Sequence, residues 1–297
     1  MASSEMKLRL ESGISTGVRV LLCGLPLVIS ACCACSQSGG EEPAVTPAIQ
    51  PQPQAHAHND YEHSRPLFDA LDQGFCSVEA DVFAIDGKLL VAHDFIKLSG
   101  DRTLKGLYLD PLFERFQKHG AIYRGGPAFH LLIDFKSDAD ETYAVLRSEL
   151  EPYKEMLTRF EGGTIHAGAV TVVISGNRPW GVARKESLRY AGLDGRLGDL
   201  KGDPKPASLM PLMSDHWGRN FKWKGEGEFP EDERARLQKI VAQAHENGWR
   251  VRFWATPENP RLWRELLDAG VDHINTDDLK GLREFLESSA KASGPND

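Results

Sequence analysis

From about residue 55 onward, short apolar runs alternate with stretches whose apolar positions recur at helical spacing. Eight strands are predicted, at about 55–59, 75–83, 128–135, 169–175, 187–191, 207–213, 250–254 and 272–276. Val170-Thr171-Val172-Val173-Ile174 is the clearest continuous run, the pattern of a strand buried on both faces in a parallel sheet. Helices fall between the strands. Pro230 opens one in which Leu237, Ile240, Val241 and Ala244 share a face, and Gly248 closes it. Asn259-Pro260 opens another, with Leu262 and Leu266 four apart and Gly270 after it. Ser64 to Gly74 and Asp278 to Leu286 follow the same pattern. Eight strands alternating with helices over about 240 residues favour an α/β fold of the (β/α)8 barrel type. An open doubly wound sheet is the rival, weakened because no glycine-rich phosphate loop follows the first strand.

Within this pattern the second strand carries the chemistry. In Cys76-Ser77-Val78-Glu79-Ala80-Asp81-Val82-Phe83, Cys76, Val78, Ala80 and Val82 alternate with Ser77, Glu79, Asp81 and Phe83. Apolar positions outward and carboxylates inward suit a strand packed under helices with its polar face lining a site. The bland alternative is a pair of solvated acids on an edge strand. Asp86-Gly87 then signals a hairpin leading to Lys88 and on to His93. A two-residue loop would set His93 opposite Ala80, on the wrong face. The expected three-residue loop, Ile85-Asp86-Gly87, pairs Ala84 with Lys88 and so brings His93 opposite Glu79.

In a barrel, chemistry gathers at the C-terminal strand ends. His58, Glu79, Asp81, Asp134, Asn177 and Trp254 all fall there. Glu79, Asp81 and Asp134 form an oxygen-only set suited to one divalent cation, Mg²⁺ or Ca²⁺, unless Asp134 merely pairs with Lys136. His58 and His93 are the candidate acid and base. A hard-metal site with a pair of proton carriers is what cleaving a phosphodiester requires; Lys136 is placed near its phosphate as a point charge, His56 behind His58 as an orienting group, and Asp94 beside His93. Asn59, Asn177, Arg178, Trp217 and Trp254 are candidate substrate contacts. Trp217 lies in a glycine-punctuated aromatic segment, Ser214 to Gly225, read as a substrate-facing loop. Trp254 is either a wall of the barrel mouth or core filling.

The chain has 297 residues, 41% of them hydrophobic, and a net charge of −8. That charge, with no basic tract, argues against nucleic acid as a partner. Residues 1–35 differ in kind: Lys7, Arg9 and Arg19 precede an apolar stretch from Val20 to Ala31, too short for a confident membrane span. Ile29-Ser30-Ala31-Cys32 is similar to a bacterial lipobox, which predicts lipidation of Cys32 and a membrane-anchored bacterial lipoprotein. An ordinary cleaved secretory signal, giving a periplasmic or extracellular protein, is the alternative. Residues 36–54, rich in Ser, Gly, Glu, Pro and Gln, read as a flexible tether, and 55–297 as the barrel domain. Four of the five cysteines lie in the leader, so Cys76 has no disulfide partner in the globular part and reads as a small buried hydrophobe.

His58, then Glu79-Ala80-Asp81, His93-Asp94, Asp134-Phe135-Lys136 and Trp254 together resemble the glycerophosphodiester phosphodiesterase and phosphatidylinositol-specific phospholipase C superfamily. His58-Asn59-Asp60-Tyr61 with Ser77 to Val82 downstream looks most like its branch of fungal altered-inheritance-of-mitochondria proteins. The resemblance covers about residues 55 to 287. It implies a barrel, a divalent cation on Glu79, Asp81 and Asp134, and His58 with His93 as acid and base. It further implies hydrolysis of a glycerophosphodiester-like or lysophospholipid-like small-molecule or lipid substrate through a cyclic phosphate. The family's His-Arg-Gly is His58-Asn59-Asp60 here, so a phosphate-binding arginine is missing at that position, and the third metal position is Asp134 where glutamate is common. Two other readings stay open. His56-Ala57-His58 fits the start of a zinc-dependent His-x-His hydrolase, and the missing arginine fits a surface-tethered barrel that binds ligand without catalysis.

Overall fold

The computed structural model describes residues 49–292. The lipobox Cys32 and most of the tether therefore lie outside the described residues. Eight parallel strands make the barrel: β1 (Gln52–Ala57), β2 (Phe75–Ile85), β3 (Phe129–Phe135), β4 (Val170–Gly176), β5 (Ala191–Gly195), β6 (Leu212–His216), β7 (Arg250–Trp254) and β8 (His273–Thr276); Lys88–Val91 adds an antiparallel ninth strand to the same sheet. Each pairs in parallel with the next. β1 also pairs with β8, and that pairing closes the (β/α)8 barrel. Gln52, Pro53 and Gln54, expected in the tether, begin β1. Pro53 has no N–H to give a ladder, and the register between β1 and β2 breaks between Gln52 and His56.

The helices form where apolar periodicity places them. In the helix Glu231–Glu246, Leu237, Ile240, Val241 and Ala244 are all buried, and Gly248 takes a left-handed φ of 74° just beyond its end. Asn259 caps the helix Pro260–Asp268 by accepting from the Arg261 N–H at 2.8 Å. Helix faces pack against the outward side chains of the strands; Val78, Ala80 and Val82 of β2 are all in this core. Cys76 is buried there too.

Three expectations about strands need correction. The fifth barrel strand is Ala191–Gly195, not 187–191; Leu188–Arg189 belongs to a separate three-stranded sheet with Arg159–Glu161 and Thr164–His166. Its sequence, Ala-Gly-Leu-Asp-Gly, has no β-branched residue, because close packing sets it: a methyl on Gly192 would collide with the Pro211 ring, and one on Gly195 with the Met210 sulfur. The sixth strand is likewise later than 207–213, and it takes in Ser214, Asp215 and His216, which read as loop because they are polar.

The hairpin after β2 also differs. Ile85 pairs with Lys88 and Ala84 with Leu89 across a two-residue turn. Asp86 (φ 48°) and Gly87 (φ 74°) both adopt the positive φ of a type I′ turn. The three-residue loop is thus wrong: an aspartate followed by glycine fits both central positions of the tighter turn.

The interior of the barrel is unusual in composition. Its apolar contribution is a small cluster of Leu132, Val173 and Leu212. Beside them, His56, Ser77, His130, Arg252 and His273 line a cavity of about 270 Å³ under the C-terminal mouth. The rings of His130 and His273 meet edge to face at 4.8 Å, and those of His56 and His273 lie 6.0 Å apart.

Candidate active site

Strand register brings the carboxylates together. Asp81 on β2 sits directly opposite Asp134 on β3, and Glu79 lies two residues earlier on the same inward face as Asp81. One oxygen from each of Glu79, Asp81 and Asp134 lies within 4.8 Å of the others, and among the described residues this is the one such set of three ligand groups. Asp81 Oδ1 is buried without a hydrogen-bond partner. A buried, unpartnered carboxylate oxygen in a three-carboxylate cluster fits a hard divalent cation.

The cluster is bordered by cations. Lys136 Nζ stands 2.9 Å from Asp81 and 3.2 Å from Asp134. Arg252 donates to Glu79 at 2.5 Å and to Asn275 at 2.9 and 2.6 Å. Tyr61 donates its hydroxyl to Asp81 at 2.7 Å. Burial raises the Glu79 pKa, and the Arg252 charge with the His56 contact more than offsets it, so the net shift is downward. Asp81 shifts the other way, to about 6, through burial and the Glu79 charge.

A cavity of about 320 Å³ opens over this cluster, lined by His58, Asn59, Glu79, His93, Asp134, Lys136, Arg252 and Trp254, among others. His58 Nδ1 lies 2.8 Å from Asp277 Oδ1. A carboxylate only accepts, so Nδ1 carries the proton and Nε2 is left as an acceptor. Burial works to lower the His58 pKa, but the Asp277 bond and the Glu79 charge outweigh it and raise it. His93 lines the same cavity, with Nδ1 3.2 Å from Asp94 Oδ1. It arrives by another route than the expected pairing: the strand stops at Val91, and the chain turns before His93. Trp254 is a wall of the mouth, its ring edge-on to His216 at 4.6 Å.

Other expected contacts fall elsewhere. Trp217 is not a substrate contact: it is 1% exposed, stacked on Phe221 at 4.2 Å and edge-on to Phe253 at 5.5 Å. The aromatic segment around it folds inward because four large rings can exclude water together. Asn177 donates to the Ser137 carbonyl at 2.8 Å, tying two loops, and does not line the cavity. Arg178 lines a neighbouring recess. Asn59, by contrast, does line the cavity; it takes a left-handed φ of 46°, and its Oδ1 lies 2.9 Å from the Tyr61 hydroxyl oxygen. His56 is buried beneath the cluster, with Nδ1 2.7 Å from Ser77 Oγ and Nε2 3.5 Å from Glu79. That position and the acidic ligand set weigh against the His-x-His zinc reading.

Sequence reasoning missed Arg252, Asp277 as the partner of His58, and Tyr61. Arg252 was legible: Arg250, Arg252 and Trp254 alternate with Val251 and Phe253, which puts a charged residue on the inward face of a central strand.

A model of the AIM6-like phosphodiesterase domain matches residues 44–194, half of the chain. The chain belongs to the AIM6-like phosphodiesterase family. A model of the glycerophosphoryl diester phosphodiesterase family matches residues 250–280, which hold β7 and β8. An altered inheritance of mitochondria protein 6 homolog from Arthroderma benhamiae is 30% identical over 276 residues, covering 82% of this chain and 86% of its own. Altered inheritance of mitochondria protein 6 of Kluyveromyces lactis is 31% identical over 78% of this chain and 72% of its own. A glycerophosphodiester phosphodiesterase structure from Parabacteroides distasonis is similar at 16% identity and a TM-score of 0.49, covering 81% of this chain and 99% of that one. The AIM6 relatives named here are fungal, and this overturns the expectation of a bacterial lipoprotein with a periplasmic or extracellular placement.

One glycine in this AIM6-like barrel supports the acidic cluster directly. Gly176 ends β4 with a φ of 63°, and a methyl there would meet the Asp134 carboxylate and the Phe135 backbone. Gly176→Ala is expected to cost about 1–3 kcal/mol in urea unfolding. It should also weaken cation binding by displacing Asp134; unchanged values for both would show that this close approach is unimportant.

Proposed function

We propose that this protein is a divalent-cation-dependent phosphoric diester hydrolase acting by His/His acid–base catalysis. The observation that carries the reading is the cluster of Glu79, Asp81 and Asp134, of which Glu79 and Asp134 line the same cavity as His58 and His93 while Asp81 is buried beside them. Glu79, Asp81 and Asp134 would hold the cation, which supplies positive charge for the developing negative charge on the phosphoryl oxygens. The remaining roles belong to the chain itself.

His58, fixed by Asp277, takes the proton from a substrate hydroxyl next to the phosphate, so that this oxygen attacks phosphorus. His93 protonates the departing alcohol oxygen, and a cyclic phosphodiester results. In the second step the roles reverse, and water opens the ring. Lys136 holds a positive charge beside the phosphoryl group, and Trp254 walls the mouth and limits water. A substrate with a hydroxyl adjacent to the phosphodiester is required, as in glycerophosphodiesters and lysophospholipids. Arg252 supports this reading as well, because a buried guanidinium now stands in the pocket although Asn59 replaces the family arginine.

Two measurements test the cation and the chemistry together. Mg²⁺ or Ca²⁺ at a hundred times Kd is expected to stabilise the fold by about 2.7 kcal/mol, a rise in Tm of about 5–10 °C. Asp134→Asn should remove most of that rise. Hydrolysis of glycerophosphodiesters, with cyclic phosphate followed by ³¹P NMR, should stop in EDTA and return with the cation. Turnover that persists in EDTA would reject the proposed cation dependence.

A further inference from the structure

We infer that the recess beside the active site binds a second anionic group of the substrate, a phosphomonoester carried on one of the two alcohols. This rests on the phosphodiesterase reading for its link to catalysis, but not for binding itself. The recess, about 390 Å³, is lined by Arg178, Trp180, Arg184, Arg196, Asp199 and Lys205, with Gly198. Arg196 lines both this recess and the catalytic cavity, so the two flank one side chain.

Charge in the recess is unbalanced. Arg196 pairs with Asp194 at 2.6 Å, and Lys205 with Asp199 at 2.5 Å. Among the described residues Arg178 and Arg184 have no carboxylate within ion-pair distance. Arg178 donates to the Asp194 backbone carbonyl at 2.7 Å, and its buried Nε has no acceptor. Arg184 donates to the Trp180 carbonyl at 2.9 Å and is otherwise exposed. Two unmatched guanidiniums in a chain of net charge −8 are arranged against the overall field. The doubly charged, multi-acceptor form of a phosphomonoester matches two guanidiniums better than a single carboxylate does. Both Arg178, 5.6 Å from the Trp180 ring centre, and Lys205, 5.3 Å from it, stand over that indole. The indole therefore reports on any anion that enters.

Binding can be read without turnover. In EDTA the three carboxylates of the cavity repel an anion, so a phosphomonoester is left to the recess. Glycerol 2-phosphate should then give a saturable fluorescence change that vanishes in Trp180→Phe. Its Kd should rise about tenfold or more in Arg178→Gln/Arg184→Gln, and acetate should give no saturable change. Absence of a Trp180-dependent signal, or an unaltered Kd in the double variant, would overturn the inference.

Activity gives the second arm. Two phosphodiesters are compared with the cation present, identical except that one alcohol ends in a phosphomonoester and the other in a hydroxyl. Wild type should favour the first in kcat/KM by about tenfold, and Arg184→Gln should bring the ratio toward one. Equal use of both by wild type would also overturn the inference. Binding to the recess with no cleavage of either diester would leave its phosphomonoester binding standing and remove the hydrolase reading instead.

Discussion

His58→Ala is expected to lower kcat on a glycerophosphodiester by about 10²- to 10⁴-fold, with Tm nearly unchanged. The size follows from what the imidazole does: it accepts the proton of the attacking hydroxyl while Asp277, 2.8 Å from Nδ1, holds its tautomer. The residue sits at the mouth and is not part of the packed core, so its removal leaves no large void. Added imidazole should restore part of the rate. His93→Ala should cost a similar factor, and the double variant little more than either alone, since the two act as one unit. Asp277→Asn should lower kcat less and shift the acid limb of the pH–rate profile downward, because Asp277 helps to raise the His58 pKa. Equal rates in wild type and His58→Ala would remove the acid–base assignment.

Acid lability is the second large effect. Burial lowers the pKa of His56 and of His130 from 6.5 to about 3, and that of His273 well below 6.5. A folded-state pKa below the unfolded value gives stability that is complete above pH 6.5 and is lost as pH falls toward about 3. By pH 5 each of these imidazoles withdraws about 2 kcal/mol. Asp60 and Asp81 oppose this. Both are raised from 3.8 to about 6, chiefly by burial, so their stabilising protonation sets in as pH falls from 6 toward 4. Each returns roughly 1 kcal/mol by pH 5 in metal-free buffer. His58 and Asp134, whose pKa values are also raised, act in the same direction as these two aspartates, yet the three buried histidines prevail, and urea unfolding should show a net loss of no more than about 3–4 kcal/mol between pH 7 and pH 5. His130→Leu should reduce that loss by about 2 kcal/mol, the larger part of it, since it removes one of the three groups that drive it. A stability that rises from pH 7 to pH 5 would contradict the neutral, buried state of this cluster.

How much was legible in the chain differs by element. β2 and β4 were readable because apolar alternation or a continuous β-branched run marks them. β5 and β6 were misplaced by several residues, because their sequences answer to near neighbours: glycines admit Pro211 and Met210, and polar residues face the mouth. Trp217 shows the same limit on the side-chain level. Its flanking glycines suggested a loop, but whether an aromatic segment folds in or out depends on rings brought from β7.

The sequence by itself determined the barrel and the residue types of its site, since periodicity and spacing are local and need no partner to be read. It also put Glu79 and Asp81 on one inward face, because strand alternation allows nothing else. Only the tertiary structure decided that Asp134 stands opposite Asp81, that Arg252 holds Glu79, and that Asp277 holds His58. Those pairs lie 53, 173 and 219 residues apart for Asp81–Asp134, Glu79–Arg252 and His58–Asp277. Closure of the sheet sets such meetings, and no short-range pattern encodes a contact whose two halves are joined by most of the barrel.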